Sequence, residues 1–200
     1  MFFIMQVLKD DIRRKITAEA LTLFYRYGYA GTSMRMIAGR IPISVSNLYK
    51  YHAHKEELLS AVIGPYYRRI DSLLTGFLAH EHEAGLNDAP ARELPAFLHT
   101  LVMLDRVRFV VLMKQSGGTP YGGYRNTIMT ALAEHMTEYT PAGSVDAFIV
   151  KTIAGNLVDN IIAAAQEFTE SRQIREAING LVTYHIHGMK PLLRMKTPGS

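Results

Sequence analysis

The stretch Ile43-Ser44-Val45-Ser46-Asn47-Leu48-Tyr49-Lys50-Tyr51-His52-Ala53-His54-Lys55-Glu56-Glu57-Leu58 decides how this chain folds. Just before it, Ile41-Pro42-Ile43 interrupts any helix, because proline lacks a backbone donor and disfavours a helical residue ahead of it. Ser44 is then placed to cap a short helix over 45–51, with Leu48 facing inward. His54-Lys55-Glu56-Glu57 opens a longer helix. Its early carboxylates suit the positive helix end, and Leu58, Leu59, Val62 and Ile63 supply its buried side.

Upstream, Ile12, Ile16, Ala20, Leu23, Phe24 and Tyr27 recur every three or four residues and form one apolar stripe. Gly28 is the usual punctuation for ending such a helix. Thr32-Ser33 offers hydroxyl caps to a second, short helix carrying Met34, Ile37 and Ala38. The opening Met1–Leu8 is apolar, but no basic residue precedes it and Lys9-Asp10-Asp11 ends it. It reads as an extension of the first helix rather than a signal peptide. No uninterrupted apolar stretch approaches the roughly 20 residues that span a bilayer, so a cytoplasmic, membrane-free protein is expected.

Downstream, the fourth helix is expected to run past Pro65 to about residue 79, with 80–91 as a linker. Helices follow over about 92–104, 105–116, 122–139, 144–169 and 171–193. Ser116–Gly123 reads as a glycine-rich loop and Pro141-Ala142-Gly143 as a breaker. There is no strand alternation. The fold class is all-α, with a three-helix N-terminal module over 1–54 and a helical body over 55–200.

Charge separates the same two parts. Residues 12–55 hold eight basic side chains and one acidic one, a net of +7, whereas residues 61–200 hold 13 of each and sum to zero. A basic head on a neutral body is the footprint of a module that meets a polyanion. The chain has no cysteine, which excludes disulfides, thiolate metal sites and thiol nucleophiles.

Three helices of falling length, the last two joined by a tight break, suit a helix-turn-helix. In such a module the third helix enters the major groove and the second crosses the backbone. Ile16, Ala20, Leu23, Phe24, Gly28, Thr32, Ile37, Ala38, Ser44, Leu48, Tyr49, Lys55, Glu56 and Leu58 resemble, in order and spacing, the N-terminal signature of the tetracycline-repressor (TetR) family. That signature covers about residues 12–60. The resemblance implies phosphate contacts from Thr32, Ser33, Ser44, Tyr49, Lys50 and Lys55, with Arg35 at the groove edge. It implies that Val45, Ser46 and Asn47 face bases; an asparagine there can pair with adenine, and a valine can meet a thymine methyl. The chain departs from the family pattern at four places. Pro42 stands where the turn usually has glycine, Val45 where a polar residue is common, Ser46 where glycine is common, and His52 where phenylalanine is usual.

The resemblance further implies a homodimer built from the last two helices, binding a palindromic double-stranded operator, most often as a repressor, and released by a small-molecule effector. Phe148, Ile153, Leu157 and Ile161 on one helix and Ile178, Leu181 and Ile186 on the next are the candidate interface. Phe77, Phe97, Met103, Phe109, Met113, Tyr121, Tyr124 and Met129 are adaptable groups that suit an apolar effector and equally suit a core. Asn156 and Asn160 share a helix face and could orient a ligand, pair across the dimer or meet solvent. No cofactor is implied.

The rival classes are a helical enzyme and a protein-interaction adaptor with a degenerate helix-turn-helix. No serine elbow, P-loop or dinucleotide fingerprint appears, and the 117–123 loop lacks the lysine of a phosphate cradle. The pairs His52/His54, His80/His82 and His185/His187 are spaced i, i+2, so on a helix they do not converge on a metal. The charge bias of the head argues against an adaptor.

Overall fold

The computed structural model describes residues 2–84, 89–138 and 145–192, and every regular element among them is helical. The order is α1 (Phe2–Gly31), α2 (Met34–Ala38), α3 (Val45–Leu48), α4 (Lys55–Ala84), α5 (Ala89–Leu104), α6 (Arg106–Val110), a π-helical turn over Val111–Gln115, α7 (Tyr124–Glu138), α8 (Ala147–Glu167) and α9 (Ser171–Leu192). The first three helices and the start of α4 form the head; the rest forms the body.

The apolar stripe of α1 does what its period predicts. Ile16, Ala20, Leu23 and Phe24 are buried against Ile37, Leu48, Leu58 and Ile63. Tyr27 is an exception and is 45% exposed. Gly28 breaks the regular helix with φ 72° and ψ 171°, a conformation open essentially only to glycine, and one further helical turn carries the chain to Gly31. The regular helix therefore breaks at Gly28, where the sequence places its end, and the residues up to Gly31 follow the kink.

α4 runs past its expected end. Its helix continues to Ala84 and α5 starts at Ala89, so 80–84 and 89–91 are helical rather than linker. Pro90 is no obstacle, because the first turn of a helix needs no donor there. Residues 85–88 and the Pro141-Ala142-Gly143 breaker lie outside the described residues. Pro65 is absorbed within α4, and Tyr66 beside it donates its hydroxyl to the Leu101 carbonyl of α5 at 2.8 Å. Arg108 likewise donates to the Val62 carbonyl at 2.8 Å. These two bonds tie the long helix to the body on both sides of the proline.

In the body α8 packs between α7 and α9, and α9 also packs on α5. α8 is long and apolar enough, by composition alone, to cross a membrane, with a mean hydropathy of 1.4. Its Val150, Ala154, Leu157, Val158, Ile161 and Ile162 are buried in the body, and Lys151, Asn156 and Asp159 face outward. Leu157, Ile161 and Ile178, expected at a subunit interface, are at most 4% exposed inside their own chain. They are core residues, because the apolar face of each helix is already covered by its neighbour.

Candidate nucleic-acid interface

The segment from Ser33 to Tyr51 is built as two capped short helices. Ser33 caps α2 by accepting from the Met36 amide at 3.2 Å. Ser44 caps α3 by accepting from the Asn47 amide at 3.1 Å, and its hydroxyl lies 3.0 Å from that of Ser46. α3 is shorter than expected. It ends at Leu48, with a turn through Tyr49 and Lys50. Leu48 is its one fully buried residue, and Ala38 and Ile37 bury the inner side of α2.

Everything else on α3 points outward or sits at its edge. Val45 is 37% and Tyr49 is 49% exposed; Ser44, Ser46 and Lys50 are exposed, and Asn47 is half-buried. Arg35 is exposed on α2. Neither Arg35 nor Lys50 has an acidic partner among the described residues. The other head cations are more engaged. Arg13 pairs with Asp10, Arg14 and Lys15 with Asp11, and Arg40 with Glu19. Arg26 of α1 lies over the Tyr27 ring at 5.3 Å and has no carboxylate partner among the described residues either, so the unpaired cations of the head are Arg26 on α1 and, in the α2–α3 segment, Arg35 and Lys50.

Two residues expected on phosphate are turned inward. Thr32 is 2% exposed, and its hydroxyl donates to the Gly28 carbonyl at 2.8 Å and the Leu23 carbonyl at 3.2 Å. The Lys55 ammonium donates to the Tyr29 carbonyl at 2.6 Å and the Thr32 carbonyl at 2.7 Å, and sits 4.1 Å from the Tyr29 ring centre. Burial holds its pKa below the usual lysine range. The physical reason is the end of α1: a helix terminus leaves carbonyls without partners, and here a hydroxyl and a cation supply the donors. These two side chains tie α1 to the following elements instead of reaching toward DNA.

His52 is 5% exposed, as an apolar ring would be, and neither ring nitrogen has a hydrogen-bond partner. Burial pushes its pKa below 6.5; Glu57, 3.7 Å from Nδ1, opposes that shift and Arg13 adds to it. Native His52 is therefore neutral, whereas the unfolded chain takes up the proton as pH falls through 6.5. Stability falls from that pH downward. Melting temperatures at pH 7.5 and 5.5 should differ less in His52→Phe than in the parent; an equal difference would show that His52 stays protonatable in the fold.

The other histidine pairs do not converge. His185 is buried and bonded to the Leu181 carbonyl, while His54 and His187 are exposed. The side chains of His80 and His82 lie outside the described residues. The body residues expected around an effector scatter. Phe77 and Phe97 stack on each other at 4.0 Å. Phe109, Met113 and Tyr124 are buried, and Met103, Tyr121 and Met129 are half-buried. Asn156 and Asn160 face outward, so they point away from the interior. Two surface hollows, of about 490 Å³ between α7 and α8 and about 570 Å³ between α8 and α9, are lined by none of these residues.

Residues 16–62, which hold α1 from Ile16, α2, α3 and the start of α4, match the model of the family described as bacterial regulatory proteins, tetR family. Residues 16–62 therefore carry the N-terminal domain of the TetR-family regulators. Its fold is similar throughout to that of a TetR-like transcriptional regulator from Rhodococcus sp. RHA1, with a TM-score of 0.59, 24% identity, and coverage of 88% of this chain and 95% of that one. Two looser similarities are a transcriptional regulator from Cytophaga hutchinsonii (18% identity, 86% and 95% coverage, TM-score 0.41) and one from Saccharomonospora viridis in complex with choline (17% identity, 88% and 97% coverage, TM-score 0.43). No curated protein matches the sequence. The TetR-family head is the part the sequence resolves residue by residue, and the body shares the fold. What sequence reading missed are the links between the two. Arg106 of α6 donates to the Ala165 carbonyl of α8 at 2.7 Å and reaches the Tyr25 hydroxyl of α1 at 3.4 Å. Gln115 lies against Gly28. No local pattern marks either, because each joins residues tens of positions apart.

Proposed function

We propose that this regulator is a homodimeric, ligand-responsive repressor that holds a palindromic operator with α3 of each head in adjacent major grooves. The observation that carries the reading is the division of α3 and the turn after it: Leu48 alone is fully buried, Asn47 is half-buried, and Val45, Ser46, Tyr49 and Lys50 are offered to solvent beside the unpaired cation Arg35. Val45, Ser46 and Asn47 read base edges. Ser33, Ser44, Tyr49, Lys50 and Arg35 hold phosphate. The head over 1–54 is the reading unit and the body over 55–200 the regulatory one.

Pairing through α8 and α9 is supported by what those helices leave uncovered. Phe148 is 76% and Tyr184 is 73% exposed, with Ile149 beside Phe148 and half-buried Ile153, Leu181 and Ile186 on the same two helices. Large apolar groups left in water on adjoining helices mark a contact surface. The effector reading rests on adaptable side chains spread through the body, among them the stacked pair Phe77–Phe97 between α4 and α5 and the edge-on pair Tyr67–Tyr124 between α4 and α7, which can repack around an apolar guest.

Selection of duplexes from a random-sequence pool tests both the head and the pairing. The recovered sequences should share an inverted repeat with half-site centres about 10–10.5 base pairs, or a multiple, apart. Asn47→Ala should alter the preferred base at one position of each half-site while leaving the repeat intact. Recovery of sequences without a common motif would defeat the reading, and a single unrepeated motif would defeat the dimer.

A further inference from the structure

We infer that Gln115 is a positioning residue for DNA binding: seated on the Gly28 break in α1, it fixes the attitude of the head on the body. This rests on the reading that the head binds duplex DNA. A Cβ built on Gly28 would lie 2.8 Å from Gln115 Oε1, so the amide oxygen fills the space that only glycine leaves open. Gly28 is also where α1 leaves helical geometry. From there the chain has one turn before α2. The Gly28 carbonyl accepts the Thr32 hydroxyl, and the Thr32 carbonyl accepts Lys55. A shift at Gly28 is therefore handed directly to Ser33, the cap of α2, and to the first residue of α4.

On the body side Gln115 is held firmly. It is the last residue of the π-helical turn, which buries Val111, Leu112 and Met113. A π turn carries one extra residue, and that extra residue sets which side chain faces α1. The Ser116 hydroxyl donates to the Leu112 carbonyl at 2.7 Å and closes the turn. The loop that follows is wound tightly: Thr119 and Gly122 make successive turn bonds, and Tyr121 packs edge-on against Tyr67 of α4 at 5.4 Å. Beside Gln115, Lys114 bonds Gln166 of α8 at 2.9 Å. Tyr25, three residues before Gly28 on the same face of α1, is held by Arg106. Tyr25 and Gly28 are thus two of the points where α1 meets the body, and the contact at Gly28 is made by Gln115.

The absence of native cysteines makes the test direct. Nitroxides on Gly39→Cys in the head and Lys151→Cys in the body, in labelled chains diluted with unlabelled ones, report the head–body distance by pulsed electron paramagnetic resonance. The probe duplex is the one that the parent recovers from a random pool. Gln115→Ala should broaden or shift the distance distribution and weaken binding to that duplex by about 2- to 30-fold, the range typical of residues that couple sites without touching either ligand. Gln115→Asn, one methylene too short to reach Gly28, should do the same if the alanine variant folds poorly. Gln115→Glu, which keeps an oxygen at the same reach, should restore both readouts. An unchanged distance, or a changed distance with unchanged affinity, would overturn the inference. A parent that recovers no duplex would instead sink the DNA-binding reading, which the distance measurement does not touch.

Discussion

Binding of the selected duplex should weaken by about 150-fold between 50 and 200 mM salt if, as proposed, two heads each place Arg35 and Lys50 on phosphate, since about four neutralised charges give a log–log slope of about −3.6. The figure follows from the geometry of the head. Of its eight basic side chains, Lys55 is committed to two carbonyls, Arg13, Arg14, Lys15 and Arg40 face carboxylates, and Arg26 lies over the Tyr27 ring on α1, outside the α2–α3 segment. Arg35 and Lys50 have no acidic partner among the described residues. Lys50→Ala should remove one cation per head, lowering the slope to about −1.8 and the loss over the same range to about 12-fold. Titration of labelled duplex at several salt concentrations measures both. A slope that does not change on removing Lys50 would place its ammonium away from the backbone. Lys55→Ala should instead lower the melting temperature and leave the slope intact, since its ammonium is tied to the end of α1.

The second large effect concerns how α3 is held. Leu48 is fully buried and is the only buried residue of a four-residue helix. Truncation of a buried leucine costs about 2–5 kcal/mol, and the upper half of that range applies where surrounding atoms cannot close the cavity. Leu48 belongs to the same buried cluster as Ile16 and Phe24 of α1, Ile37 of α2 and Leu58 of α4, and residues held by three separate helices limit the collapse. Leu48→Ala should therefore lower thermal stability substantially, and sequence-selective DNA binding should fall further than stability does, since α3 loses its anchor. Calorimetry beside duplex titration below the melting temperature separates the two. Retention of full affinity in a destabilised variant would mean that α3 is positioned by its Ser44 cap and not by Leu48.

The head was legible in the sequence because its determinants are local. The three-and-four spacing of Ile16, Ala20, Leu23 and Phe24, the proline at 42 and the serines at 33 and 44 each act within a few residues of themselves. Two kinds of feature escaped. The first is direction: Thr32 and Lys55 are polar residues at positions that suit phosphate, but the unpartnered carbonyls at the end of α1 are nearer and take them. The second is which neighbour covers an apolar face. The periodicity of α8 and α9 marks Leu157, Ile161 and Ile178 as buried and does not say by what; the covering surface is the chain's own core. Gln115 and Arg106 belong to the same class, because their partners are fixed only once α1 and the body have met.

Since α3 hangs from one inward leucine and one hydroxyl cap, its outward side chains carry almost none of the architecture. Val45, Ser46, Asn47, Tyr49 and Lys50 can be exchanged at small cost to folding. On the proposed reading, target preference could therefore change at these positions while the scaffold is kept.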